Sequence, residues 1–130
     1  MSKPAQRKVT STNYRNEAEL IAGCPLAAAM KLLGGRWKPM LLWYVHHDIR
    51  RFGGLRRTIV GVSEKMLYQQ LRELERDGLL VRSIAGPRVV EYALTPLGAS
   101  LVPHLRALAA WSEENGVARR LLGERPARSA

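Results

Sequence analysis

The sequence predicts a mainly α-helical fold with one small β-hairpin, an α+β arrangement, and three observations predict it. Apolar residues recur at helical spacing in several segments that open on Pro, Ser or Thr and close on Gly. Two short runs rich in β-branched residues, "LLVRSIA" and "RVVEYALT", flank Gly86-Pro87 and read as two paired strands. The length, 130 residues with 46% hydrophobic content, suits one compact domain with a small core.

The elements follow in order. Residues 1–20 are polar and aperiodic and read as a flexible arm; residues 21–115 form the domain; residues 116–130 read as a basic, frayed tail. "CPLAAAMKLLGG" is a short helix, with Pro25 at its first position and Gly34-Gly35 as its stop. "RWKPMLLWYVHHD" is a second helix, and Pro39 in its first turn costs little. Trp37, Met40, Leu41, Tyr44 and Val45 are its expected inner face. "RFGGLRRTIVG" is a shorter third helix, with Phe52, Leu55 and Ile59 inward. The fourth starts at Ser63 as N-cap, with Glu64 beside the positive end of the dipole, and stops at Gly78. After the hairpin, Thr95 caps a last helix, Pro96 takes its first position and Gly116 ends it. Pro103 lies inside and is expected to kink it, because one backbone hydrogen bond is lost.

The charge narrows the function. The formal net charge is +10, a field that draws polyanions. Between residues 50 and 88 stand nine basic and four acidic side chains, so much of the excess sits in the predicted structured part. No apolar run approaches the ~18 residues of a membrane span. The first twenty residues lack the apolar centre of a signal peptide, so the cytoplasm is the expected location. A single cysteine, Cys24, excludes an internal disulfide framework.

A short helix, a tight turn, an amphipathic helix with a basic face and then a hairpin make a winged helix-turn-helix. The major groove of DNA admits one helix and displays distinguishable donor and acceptor patterns. On the fourth helix Leu67, Leu71 and Leu74 share a narrow arc for docking. Lys65, Tyr68, Gln69 and Arg72 lie opposite and can reach base edges, with Gln suited to adenine and Arg to guanine. Ser63, Lys65 and the helix start can hold a phosphate, as can Arg56 and Arg57 on the preceding helix. Arg88, near the hairpin tip, is a candidate for the adjacent minor groove or backbone; read alone, a solvated edge hairpin explains it equally well. The long apolar stripe of the last helix exceeds what so small a domain covers, which favours a homodimer. A dimer would carry two reading helices about 34 Å apart and demand an inverted-repeat operator in double-stranded DNA.

The segments "CPLAAAMKLLGGRWKPMLLWYV", "GVSEKMLYQQLRELERDGL", "VEYALTPLG" and "LRALAAW" together resemble the HxlR-type winged helix-turn-helix regulators, over about residues 24–112. That resemblance implies a dimeric bacterial DNA-binding regulator, related in fold to MarR-type proteins. It implies a recognition helix at residues 63–77, a wing at residues 80–95, and N- and C-terminal dimerisation helices. Leu101, Leu105, Leu108 and Trp111, with the segment around Cys24, are then the expected dimer interface. Many proteins of this type carry a longer wing, with a Tyr and a Pro-Pro before "VEY"; here "RSIAGPRVVEY" is shorter.

Cys24 precedes a helix start, where the dipole favours a thiolate open to electrophiles or oxidants. Spacing alone favours a buried structural cysteine. The resemblance raises a sensing role, with an electrophile or a small molecule as effector. His46, His47 and His104 form no metal motif, and no cofactor is expected. The other reading is a winged-helix module that holds protein or RNA without operator specificity. An enzyme is not expected: no nucleophile–base pair, phosphate loop or metal spacing stands out.

Overall fold

The computed structural model describes residues 12–123. Its contacts divide the chain after Gly35 into two units.

The first unit holds α1 (Thr12–Gly23) and α2 (Pro25–Leu33). Here the flexible-arm reading is corrected: residues 12–20 are helical, while residues 1–11 of that arm lie outside the described residues. The sequence hid α1 because no residue of it is buried, so it carries no regular apolar period. Glu, Ala, Leu and Arg are good helix formers, and the Lys31 ammonium meets the Glu17 carboxylate at 2.6 Å, tying α2 to α1. The stop of α2 follows the expectation: Gly34 adopts φ 37° and donates its N–H to the Met30 carbonyl.

The second unit runs α3 (Trp37–His46), α4 (Phe52–Thr58), α5 (Glu64–Arg76), β1 (Leu80–Gly86), β2 (Val89–Leu94), α6 (Pro96–Glu114) and α7 (Val117–Leu121). The fold class is therefore mainly α with an antiparallel hairpin, as the sequence predicts. Leu41, Leu42, Leu55, Leu67, Leu71 and Leu74 are fully buried and join α3, α4 and α5 in one core. The inner face of α3 is rotated from the expected one: Lys38, Leu41, Leu42 and Val45 are buried, and Trp37, Met40 and Tyr44 are half-buried.

The hairpin pairs Leu80 with Leu94, Arg82 with Tyr92 and Ile84 with Val90, then slips at a bulge between Ile84 and Gly86. Its turn is Pro87-Arg88, and Arg88 takes φ 61°, where glycine is the easy choice. The outer edge of β2 is partly covered by the α3–α4 loop. Tyr92 donates its N–H to the Arg50 carbonyl at 2.8 Å, and Arg50 Nε donates to the Tyr92 carbonyl at 3.2 Å. Arg51 holds Glu91 of β2 at 3.3 Å, which fixes the entry to α4.

Thr95 caps α6 as expected, accepting from the Gly98 N–H at 3.0 Å, and its hydroxyl donates to the Gly78 carbonyl. The helix continues through Pro103. Its inner stripe is Gly98, Val102 and Leu105, whereas Leu97, Leu108 and Trp111 stay more than half exposed. Gly116, at φ 59°, breaks the chain into α7, so residues 117–121 are helical where a frayed tail was the expectation. Arg and Leu favour that turn, and it packs only on the end of α6. Residues 124–130 lie outside the described residues.

Candidate nucleic-acid interface

The α5 helix sets the site. Ser63 caps it by accepting the Met66 N–H at 3.0 Å, and Leu67, Leu71 and Leu74 anchor it with no exposed surface. That anchoring turns Lys65, Tyr68, Gln69, Arg72 and Arg76 outward. The sequence-predicted reading residues are thus together on one open face, with Ser63 exposed at its start.

The side chains on this face differ in how committed they are. Arg56 of α4 meets the Glu64 carboxylate at 3.7 Å, and Arg76 meets Asp77 at 3.6 Å. Arg57 is exposed and folds its guanidinium over Gly53. Tyr68 is pinned, because its ring stacks on Phe52 of α4 with centroids 4.2 Å apart and planes 25° apart. That stacking ties the two helices of the helix-turn-helix together and leaves the rest of the ring exposed. Arg72 and Lys65 make no ion pair among the described residues. Arg88 stands exposed at the wing tip. On β1, Arg82 lies against the Tyr92 phenol; burial raises that phenol's pKa, and the nearby Arg82 charge offsets part of the effect.

One pair escaped the sequence reading. The Lys38 ammonium, nearly buried in α3, donates to Glu73 Oε1 on α5 at 2.9 Å. The signal was present: Lys38, Leu41, Leu42 and Val45 fall at i, i+3, i+4 and i+7, one helical face. A lysine there must meet an acid, since an unpaired buried charge is very costly. Burial pushes the Glu73 carboxyl up. The hydrogen bond and charge of Lys38 outweigh it, helped by Gln69 and Arg76, so the carboxyl sits below its ordinary value. A folded-state value below the unfolded one adds stability above about pH 4.3, lost as the pH falls through the folded value. Urea midpoints measured from pH 7 to pH 3 should therefore fall more steeply for the wild type than for Glu73→Gln. Parallel curves would show that the pair contributes nothing to acid sensitivity.

Cys24, in the first unit, is the N-cap residue of α2 with φ −136°, half-buried, and its sulfur makes no cap hydrogen bond. Of the expected interface residues, Leu105 is buried and Leu101 half-buried, while Leu108 and Trp111 are exposed. A shallow apolar groove of about 230 Å³ runs between α3 and α6, over Met40, Trp43, Leu105 and Leu108. No group of three or more His, Cys, Asp or Glu side chains among the described residues is placed to hold a metal ion. No helix among them is long and apolar enough to cross a membrane.

The profile of the HxlR-like helix-turn-helix family matches residues 32–120. The chain belongs to that family. Within it, the chain is 44% identical over 112 residues to the HTH-type transcriptional regulator YtfH of Escherichia coli K12, covering 83% of this chain and 88% of YtfH. The structure of the redox regulator HypR in its reduced form aligns at a TM-score of 0.65 and 35% identity, over 70% of this chain and 92% of HypR. A MarR-family regulator from Enterococcus faecalis V583 aligns at 0.59 and 27% identity, over 88% of this chain and 98% of that one. This HxlR-family chain is a helix-turn-helix DNA-binding transcriptional regulator, and α5 occupies the recognition-helix position of its winged helix-turn-helix.

Proposed function

We propose that this HxlR-type regulator works in the cytoplasm as a homodimer. Each copy sets α5 into one of two successive major grooves of an inverted-repeat operator. One observation carries the reading: Lys65, Tyr68, Gln69 and Arg72 form an open polar row on a helix whose opposite edge is fully buried. Lys65 and Arg72 have no internal partner to give up, so groove contacts there are not offset by lost ion pairs. Ser63, Arg56 and Arg57 hold the flanking backbone, and Arg88 reaches it from the wing. Leu101, Leu108 and Trp111 of α6 supply the dimer contact above Leu105, since exposed apolar side chains on one helix are what a second copy would cover.

The input to this regulator is assigned to Cys24. It sits at a helix start and is not fully buried, and the chain resembles a redox regulator over 70% of its length. A small apolar effector in the α3–α6 groove is the other route.

The experiment is a gel shift on the DNA upstream of the protein's own gene, over a salt series, with and without a quinone electrophile, repeated with Cys24→Ser. Affinity should fall steeply with salt, as phosphate contacts release counterions. A flat response, or equal binding to any duplex, would favour an RNA- or protein-holding module. The electrophile should change binding only where Cys24 is present. The same change in Cys24→Ser would remove the thiol from the signal.

A further inference from the structure

Gln69 is exposed on the reading face of α5, yet its side-chain amide hydrogen-bonds the Glu73 carboxylate one turn later. That carboxylate is held from behind by the Lys38 ammonium of α3 at 2.9 Å. Donor and acceptor chemistry then fixes which way the Gln69 amide points. An ammonium only donates, and an ionised carboxylate only accepts. The end of Gln69 that touches Glu73 must therefore be its NH2 group. Its carbonyl oxygen and the second N–H are left for the open side.

Adenine shows one donor, N6–H, and one acceptor, N7, in the major groove; guanine shows two acceptors, N7 and O6. An amide with its oxygen and one N–H outward matches adenine and sets an oxygen against guanine O6. We propose that Glu73, clamped by Lys38, is a specificity-determining positioning residue. It orients the Gln69 amide so that α5 accepts adenine and rejects guanine at one base pair of each half-site. The inference rests on α5 being the reading helix.

Glu73→Gln makes a directional test. Lys38 has no acceptor, so it claims the carbonyl oxygen of the new amide at position 73. That amide's NH2 then faces Gln69 and turns the Gln69 carbonyl inward. Two N–H groups now point outward, a match for guanine N7 and O6. The preference should move from adenine towards guanine at the same base pair.

The experiment is selection from a randomised operator pool by the full chain, followed by affinities for all four bases at the selected position. Four proteins are compared: wild type, Gln69→Ala, Glu73→Gln and the double variant Lys38→Met/Glu73→Leu. The double variant removes both charges together, which keeps the core free of a stranded ion. Wild type should favour adenine over guanine by about tenfold at that position. Gln69→Ala and the double variant should flatten that preference while the other positions keep theirs. Glu73→Gln should shift it towards guanine. Persistence of the adenine preference in Glu73→Gln and in the double variant, where Gln69→Ala loses it, would overturn the role of Glu73 and leave the reading face intact. Uniform weakening over all four bases would make the pair structural only and overturn it too. An unchanged profile in Gln69→Ala would sink both the positioning role and the assignment of Gln69 to the bases.

Discussion

Replacing Arg72 by alanine should lower operator affinity about 10- to 100-fold while leaving non-specific DNA binding and thermal stability almost unchanged. The size follows from one bidentate guanidinium contact, worth roughly 1–3 kcal/mol of base discrimination. The selectivity follows from position. Arg72 is exposed, three residues after Gln69 and four after Tyr68, so the three project as neighbours from one face. It holds no internal ion pair among the described residues, unlike Arg56 and Arg76, so removing it strands no carboxylate. Exposed substitutions of this kind usually move stability by less than ~0.5 kcal/mol. Titrations of operator and scrambled duplex, with a melting curve alongside, check all three parts. A parallel loss on both duplexes would reassign Arg72 to the phosphate backbone.

Gly98→Ala should destabilise the protein by about 3 kcal/mol, although alanine is the better helix former by ~1 kcal/mol. Gly98 lies in the first turn of α6, and a Cβ there would overlap the carbonyl oxygen of Leu79 and crowd Leu94. Neither side can give easily. The Leu79 carbonyl also accepts the Thr95 N–H at 3.2 Å, and Leu79 and Leu80 are almost fully buried. The helix would have to lift from the start of the hairpin, undoing the Thr95 cap that joins Gly78 to Gly98. Melting should fall by well over ten degrees for a unit of this size, at roughly 4–8 °C per kcal/mol. A rise in melting temperature would mean that helix propensity, not the close approach, governs this turn.

Much of the candidate site was legible because its signals are local. Ser63 and Gly78 bracket α5 by cap chemistry, and Leu67, Leu71 and Leu74 set its orientation by period. Thr95-Pro96 marked the start of α6 in the same way. Signals that depend on packing were harder to read. The α1 helix was missed because it buries none of its residues. The stripe drawn along α6 mixed Leu105, which is buried, with Leu108 and Trp111, which are not, because the sequence does not say which flank of a broad stripe meets the core. The α3 face was misjudged for a related reason: bulky Trp37 and Tyr44 look like core residues, yet Lys38 is the buried one.

The sequence by itself determined the order of helices and hairpin, the ends of α5 and the identity of its outward residues. Caps, turns and helical period act within a few residues, and they are written where they act. The tertiary structure alone decided which of those residues are free to meet DNA. Lys38 and Glu73 stand 35 positions apart, and nothing local pairs them. Packing of α3 on α5 removes water from the lysine and leaves Glu73 as its counter-charge, with Gln69 alongside. The same packing stacks Tyr68 on Phe52 and leaves Arg72 without an internal partner. The physical reason is desolvation: a charge is committed or free according to what packs around it, and only the folded chain brings those neighbours together.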